Sequence, residues 1–277
     1  MEIITLQAIS ISSFTVAFNK AFSDYEINLS FSEENFRKKI ISENIILEYS
    51  VGAFADGELI AFILHGYDDI NGQKSIYNAG TGVLPKYRGL RIIEKLYNYI
   101  LPVLKDKGFR HHYLEVLSGN EKAEKIYAKM GFTHFRRVVG YSGNVPEKDI
   151  NNIEIRIQNF IDWNSAKSFC DTEPTWQNSF SAIQRTIDNH NIVTAYYNNE
   201  FAGFAIYDNT NGRIKQFGVK KEHRRKGIGT ALFGYISKTV GQVAFTNYDS
   251  NDTSAAAFFN ALTLKPSFEL IEMKLFY

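Results

Sequence analysis

The sequence predicts an α/β protein made of two copies of one domain joined end to end, and three observations predict it. A strand–turn–strand pattern occurs twice, a strand–loop–helix pattern follows each occurrence, and an apolar strand, a short helix and a closing strand complete each copy. Matching segments in one order along the chain imply duplication, because element order alone is shared by many unrelated α/β chains.

The hairpins come first. AFADGELIAFIL begins at Ala53 and AYYNNEFAGFAI at Ala195, with Glu58 and Glu200, and Phe62 and Phe204, at equal offsets. Asp56-Gly57 and Asn198-Asn199 are residue types that tolerate positive φ, which a two-residue hairpin turn demands. The loops come next, GVLPKYRGLRIIEKLY and GVKKEHRRKGIGTALF, with Val83 to Arg88 spaced as Val219 to Arg224. Ile93, Leu96, Tyr97, Ile100 and Leu104 then recur at helical spacing, as do Ile228, Ala231, Leu232, Tyr235 and Ile236. HHYLEVL and QVAFTNY read as the following strands. The polar stretch VPEKDINN, with Pro146, suits a linker, so the expected domains are 1–145 and 146–277.

Composition bounds the function. The 277 residues are 44% hydrophobic and 22% charged, and 31 basic residues face 30 acidic ones, a formal net charge of +1. That balance argues against a nucleic-acid binder working by phosphate neutralisation. A single cysteine, Cys170, excludes an internal disulfide and a thiolate zinc cage, and fits a reducing cytoplasm. The first residues lack the pattern of a signal peptide, and no stretch approaches the roughly 18 apolar residues of a membrane span. His111 and His112 are adjacent on a strand and point to opposite faces, so no metal site is expected.

The second loop carries the sharper chemistry. A helix that opens at RRKGIGTAL offers unpaired N–H groups and a partial positive charge, an anion site. Gly227 and Gly229 let a diphosphate approach the backbone, while Arg224, Arg225 and Lys226 add positive charge. The Walker and dinucleotide patterns are absent. Arg224, Gly227 and Gly229 instead match Arg/Gln-x-x-Gly-x-Gly/Ala, and the chain resembles the GNAT family of acyl-CoA-dependent N-acyltransferases over nearly its whole length. The resemblance implies, in each copy, a mostly antiparallel mixed sheet flanked by helices and split where acyl-CoA enters. It implies acetyl-CoA as acyl-donor substrate, held in the second copy by Val219, Arg224, Arg225, Gly227, Ile228, Gly229 and Thr230.

The first copy departs from the loop pattern. Arg91 stands in place of Gly227 and Ile93 in place of Gly229, although Val83, Arg88, Gly89, Arg91 and Asn120 could still form a donor site, Arg91 by pairing with a phosphate. It does match the family's Asn-x-x-Ala-x-x-x-Tyr-x-x-x-Gly-Phe segment, at Asn120, Ala123, Tyr127, Gly131 and Phe132. By resemblance Tyr127 is the acid that protonates the leaving thiolate, or else it packs between helix and sheet. In the second copy Asp252, Phe259 and Thr263 replace the asparagine, tyrosine and glycine, with Tyr248 a substitute acid. Glu115 is the candidate base for the attacking amine, or a solvent-facing strand carboxylate.

The copies are thus complementary in their defects. The expectation is that one copy catalyses, either the first or the second, while the other shapes the acceptor cleft, with the second favoured for tight donor binding. The implied reaction is direct transfer, most simply of acetyl, to a primary amine on a small molecule or peptide, without a covalent enzyme intermediate. A non-catalytic acyl-CoA sensor is the alternative. Near the N-terminus, Phe18, Phe22 and Tyr25 recur at helical spacing and read as core or as acceptor-cleft residues.

Overall fold

The computed structural model describes residues 1–24 and 30–277, so Tyr25 lies outside the described residues. The chain forms two compact units, Met1–Phe135 with Ile271–Tyr277, and Arg136–Leu270. The sequence places a single boundary at 145/146; the units part at 135/136, and the last residues of the chain rejoin the first unit.

In the first unit, β1 (Glu2–Thr5) precedes α1 (Ile11–Ala21) and α2 (Glu33–Glu43). Ser10 and Ser32 cap these helices by accepting the N–H of Ser13 and Asn35, and left-handed Asn44 ends α2. The strands β2 (Val51–Ala55), β3 (Glu58–Ile70) and β4 (Gln73–Val83) continue an antiparallel sheet from β1. The expected hairpin turn is present, with Asp56 at φ 49° and Gly57 at φ 78°. After α3 (Ile92–Asp106), β5 (His111–Leu117) pairs in parallel with β4 only at Ser75–Tyr77 against His111–Tyr113. Helix α4 (Glu121–Lys129) follows. Every residue of the first apolar helical series is buried on α3, and Phe14, Phe18, Phe36 and Phe62 stack between α1, α2 and the sheet. Phe18 is therefore core, with Phe22 packed on it.

In the second unit, β6 (Thr133–Gly143) contributes its residues from Arg136 onward, pairing antiparallel with a later strand. Then come β7 (Ile153–Gln158), α5 (Trp163–Ser168), α6 (Phe180–Arg185), β8 (His190–Tyr197), β9 (Glu200–Asp208) and β10 (Arg213–Val219). Helix α7 (Ile228–Val240), β11 (Val243–Asp249), α8 (Thr253–Ala261) and β12 (Lys265–Phe276) complete the chain. Strands β7 to β10 form an antiparallel run, β10 pairs in parallel with β11, and β11 pairs antiparallel with β6. Asn198 and Asn199 turn the hairpin at φ 50° and 65°. The VPEKDINN stretch packs on α7: Val145 N–H donates to Ser237 Oγ at 3.0 Å, and a Cβ on Gly234 would lie 3.0 Å from the Pro146 carbonyl. Each unit thus takes its closing strand segment from the far end of the other repeat, Arg136–Gly143 in one and Ile271–Phe276 in the other. Repeat-based boundaries do not show this, because a strand's sequence says which faces it buries and not which neighbour it joins.

Candidate active site

The second unit opens where β10 and β11 part. Their parallel pairing covers only Arg213 with Ala244 and Ile214 with Phe245. Beyond it both strands are irregular, β10 between Ile214 and Gln216, β11 between Phe245 and Tyr248 with Asn247 at φ 58°. Bulges bend strands and release them from the ladder. A cleft of about 620 Å³ results. Its walls are the ends of β10 and β11, the start of α7, one face of α8 and the segment Phe169–Pro174 after α5.

The loop at the head of α7 forms one end. Arg225 at φ 64° and Gly227 at φ 89° are both left-handed, and Gly227 caps the helix. The N–H groups of Ile228, Gly229 and Thr230 open the helix and have no acceptor within it, and no acidic residue stands in its first turn. Arg225 is exposed, lines the cleft and has no ion-pair partner among the described residues. Side chains also approach both glycines closely. A Cβ at 227 would lie 2.7 Å from Ile150, and one at 229 would lie 2.8 Å from Phe258. Val219, Arg224, Arg225, Gly227, Ile228, Gly229 and Thr230 all line this one cleft. The Arg224 guanidinium, however, is turned to Asp171, 2.8 Å away, and to the carbonyls of Val219 and Phe169, at 3.0 and 3.3 Å.

At the other end three residues that sequence reasoning did not single out hold the strands apart. Asn178, 1% exposed, donates to the Thr246 carbonyl on β11 at 2.6 Å, and Gln216 of β10 donates to the Asn178 carbonyl at 2.8 Å. Arg136 joins Asp249 at 3.3 Å and the Glu173 carbonyl at 2.7 Å. These bonds serve groups that the broken ladder leaves behind. Asn178 sits in a polar loop segment such as any loop has, and Gln216 and Arg136 are strand residues with no motif around them.

Tyr248 lines the cleft and donates from its hydroxyl to Asp252 Oδ2 at 2.8 Å. Burial, then the Asp252 carboxylate, pushes the phenol well above its usual range. Burial also works on Asp252, but bonds from the Ala255 N–H, the Tyr248 hydroxyl and Ser254 outweigh it and hold the carboxyl below the usual range. Cys170 also lines the cleft, where sequence reading placed no cysteine. Burial, then Asp171, pushes its thiol up to about 12, and Sγ donates to the Phe217 carbonyl at 3.6 Å, so it stays a thiol.

The remaining sequence candidates lie in the first unit. Arg91 caps α3 in the left-handed region at φ 54°, matching Gly227, and Gly89 at φ 81° matches Arg225. The loop backbone is therefore the same, with glycine and arginine exchanged. Ile93 is buried, and Glu94 sits in the first helical turn. Arg88 is held by Asp24, 2.6 Å away, and by the carbonyls of Val83 and Ala21. Asn120 caps α4 by accepting the Ala123 N–H at 3.2 Å, as Asp252 accepts Ala255 N–H in α8. Tyr127 is buried, its ring edge-on to Tyr97 and Phe132. Glu115 on β5 accepts from the Tyr77 hydroxyl at 3.4 Å and is half-buried rather than turned to solvent. Among the described residues no group of three or more His, Cys, Asp or Glu side chains is placed to hold a metal ion. No helix of them is long and apolar enough to cross a membrane.

Two tandem α/β units, each with a parallel strand pair that parts beside a helix-opening loop, can be set against known proteins. The family model for acetyltransferases of the GNAT type matches residues 11–132 and 157–262, once in each repeat. The chain belongs to the GNAT acetyltransferase family. Among solved structures, this GNAT chain is similar to a GCN5-related N-acetyltransferase from Sphaerobacter thermophilus. They share 15% identity and a TM-score of 0.72, over 99% of this chain and 94% of that one. It is also similar to a tandem GNAT protein from the clavulanic acid biosynthesis pathway, with 13% identity, a TM-score of 0.70 and coverage of 99% and 98%. A third is the glucosamine N-acetyltransferase region of a fungal multi-domain β-N-acetylglucosaminidase, with 13% identity, a TM-score of 0.71 and coverage of 95% and 36%. At such identities the likeness is one of fold. A search of curated proteins by sequence finds no match. The GNAT family is one of acyl-CoA-dependent acyltransferases, and its model matches this chain twice, once in each repeat.

Proposed function

We propose that the chain transfers an acyl group, most simply acetyl, from CoA to a primary amine by direct attack within a ternary complex, and that the second unit holds the donor. The observation that carries this reading is the cleft between β10 and β11, which runs from a glycine-bearing helix start to Tyr248 and Asp252. The donor fits the residues present. The N–H groups of Ile228, Gly229 and Thr230 and the Arg225 guanidinium suit a diphosphate, and the apolar walls at Phe217, Phe245 and Phe258 suit the arm that follows.

Attack of a neutral amine on a thioester puts negative charge on the carbonyl oxygen, and a strand-edge N–H at Val219 is the proposed donor to it. The departing thiolate then takes a proton. Tyr248 is protonated at any working pH and is the proposed source, doing in the second unit what Tyr127 was expected to do in the first. Asp252, ionised and accepting from that hydroxyl, orients it, and the proton that the attacking amine loses on forming the amide restores the phenol. We assign Tyr127, Asn120, Val83, Arg88, Gly89 and Arg91 to the framework of the first unit, where Arg91 and Ile93 make the helix start bulkier and Glu94 puts an acid in its first turn. Glu115, bonded to Tyr77, belongs to that framework as well. The acceptor is a small-molecule or peptide amine, as glucosamine is for the fungal relative.

Release of CoA thiol from acetyl-CoA, measured across a panel of diamines, amino sugars, amino acids and peptides, tests the reading. Amine-dependent release, reduced about tenfold in Tyr248→Phe, is expected, since a thiolate needs its acid less than an alkoxide does. Donor binding with no release for any amine would leave a binding module in place of an enzyme.

A further inference from the structure

The arginine that the family motif places in the donor loop is spent on another task. Arg224 uses Nε on the Val219 carbonyl at 3.0 Å, one terminal nitrogen on the Phe169 carbonyl at 3.3 Å and the other on Asp171 at 2.8 Å. Phe169 ends α5, and Asp171 begins the cleft-lining segment that runs on to Asn178. The same segment is tied again by Arg136 at the Glu173 carbonyl and by Gln216 and Thr246 at Asn178. It is therefore a strap along the cleft, fastened to the donor loop at its first residues.

The first unit holds a closely similar clamp, in which both terminal nitrogens reach the acid. Arg88 Nε donates to the Val83 carbonyl at 3.3 Å, its terminal nitrogens reach the Ala21 carbonyl at 2.9 Å and both oxygens of Asp24, and Ala21 ends α1 as Phe169 ends α5. Yet this unit has Arg91 and Ile93 where the second has Gly227 and Gly229. The clamp is present with and without the glycine loop, so its geometry does not depend on a diphosphate beside it. Three of the five guanidinium N–H donors are already used, and the ion pair with Asp171 holds the group toward residues 169–171.

We propose that Arg224 is a positioning residue rather than a phosphate ligand. Through Asp171 and the Phe169 carbonyl it fastens the strap 169–178 to the donor loop, leaving the phosphates to the α7 N–H groups and Arg225. The proposal rests on the donor reading above, and it makes the wall of the cleft and the donor loop one mechanical piece.

The test compares wild type, Arg224→Ala, Asp171→Asn, their double variant and Arg225→Ala by acetyl-CoA calorimetry and by amide hydrogen exchange over 169–178. Asp171→Asn is nearly isosteric and guards against a folding defect in Arg224→Ala. Faster exchange of the strap is expected in Arg224→Ala and Asp171→Asn alike. Their Kd values should agree within about threefold, the double variant should be no worse than either, and Arg225→Ala should weaken binding about tenfold or more. An Arg224→Ala that loses acetyl-CoA while Asp171→Asn keeps it would make Arg224 a ligand and overturn the proposal. So would wild-type exchange of the strap in both variants. A wild type that binds no acetyl-CoA would defeat the donor reading instead, and the exchange data would still decide the clamp.

Discussion

Single side chains explain which parts of each repeat are chemical and which are framework. Tyr127 and Phe259 occupy the same helical position, both buried, so the hydroxyl of Tyr127 is a small addition to a packing role they share. The neighbouring position shows the reverse. Gly131 at φ 93° corresponds to Thr263 at φ 60°, and a β-branched residue there is strained. Thr263→Gly is expected to stabilise the second unit by about 1 kcal/mol, seen as a rise of a few degrees in Tm. In the first unit His65 and His112 are fully buried, with rings 4.8 Å apart, and neither Nε2 has a hydrogen-bond partner. Burial, only partly opposed by a bond to the Tyr49 carbonyl, lowers His65 from 6.5 to about 4. The folded state therefore binds fewer protons than the unfolded one between those values. The stabilisation is complete above pH 6.5 and is lost as pH falls toward 4, by about 3 kcal/mol for His65 alone. Urea midpoints at pH 7 and pH 4.5 should differ strongly in wild type and less in His65→Gln.

At the scale of elements, most of the fold was legible and most of the cleft was not. The hairpin turns, the buried faces of α3 and α7 and the order of elements follow from periodicity and from residues that accept positive φ. The glycine loop was legible because a helix start that approaches an anion has few sequence solutions. The strap was not, because Asn178, Gln216 and Arg136 act through backbone carbonyls, and a carbonyl leaves no trace in sequence. Asn178→Ala removes the donor to the Thr246 carbonyl at a buried site. It is expected to cost about 1–3 kcal/mol and to raise hydrogen exchange in β11 beyond Phe245, where the strands part. Unchanged protection there would mean that the bulges alone keep β10 and β11 apart.

For the whole molecule, the exchange of closing strands means that neither repeat is a complete unit by itself. Ile271 and Met273 are buried, Tyr277 N–H donates to the Arg110 carbonyl, and its hydroxyl meets His112 Nδ1 at 2.9 Å. Truncation after Leu270 should therefore expose the first unit to limited proteolysis within residues 1–135, although the deleted residues follow the second repeat. The division of labour between units belongs to this scale too. Both loops have the same backbone, but glycine, an exposed arginine and an acid-free first turn come together only in the second. The most direct measurement is calorimetric titration of acetyl-CoA into wild type, Gly227→Trp and Arg91→Glu. One binding site that is lost in Gly227→Trp and kept in Arg91→Glu is the predicted result, whereas binding that survives Gly227→Trp and disappears in Arg91→Glu would contradict it and move the donor to the first unit.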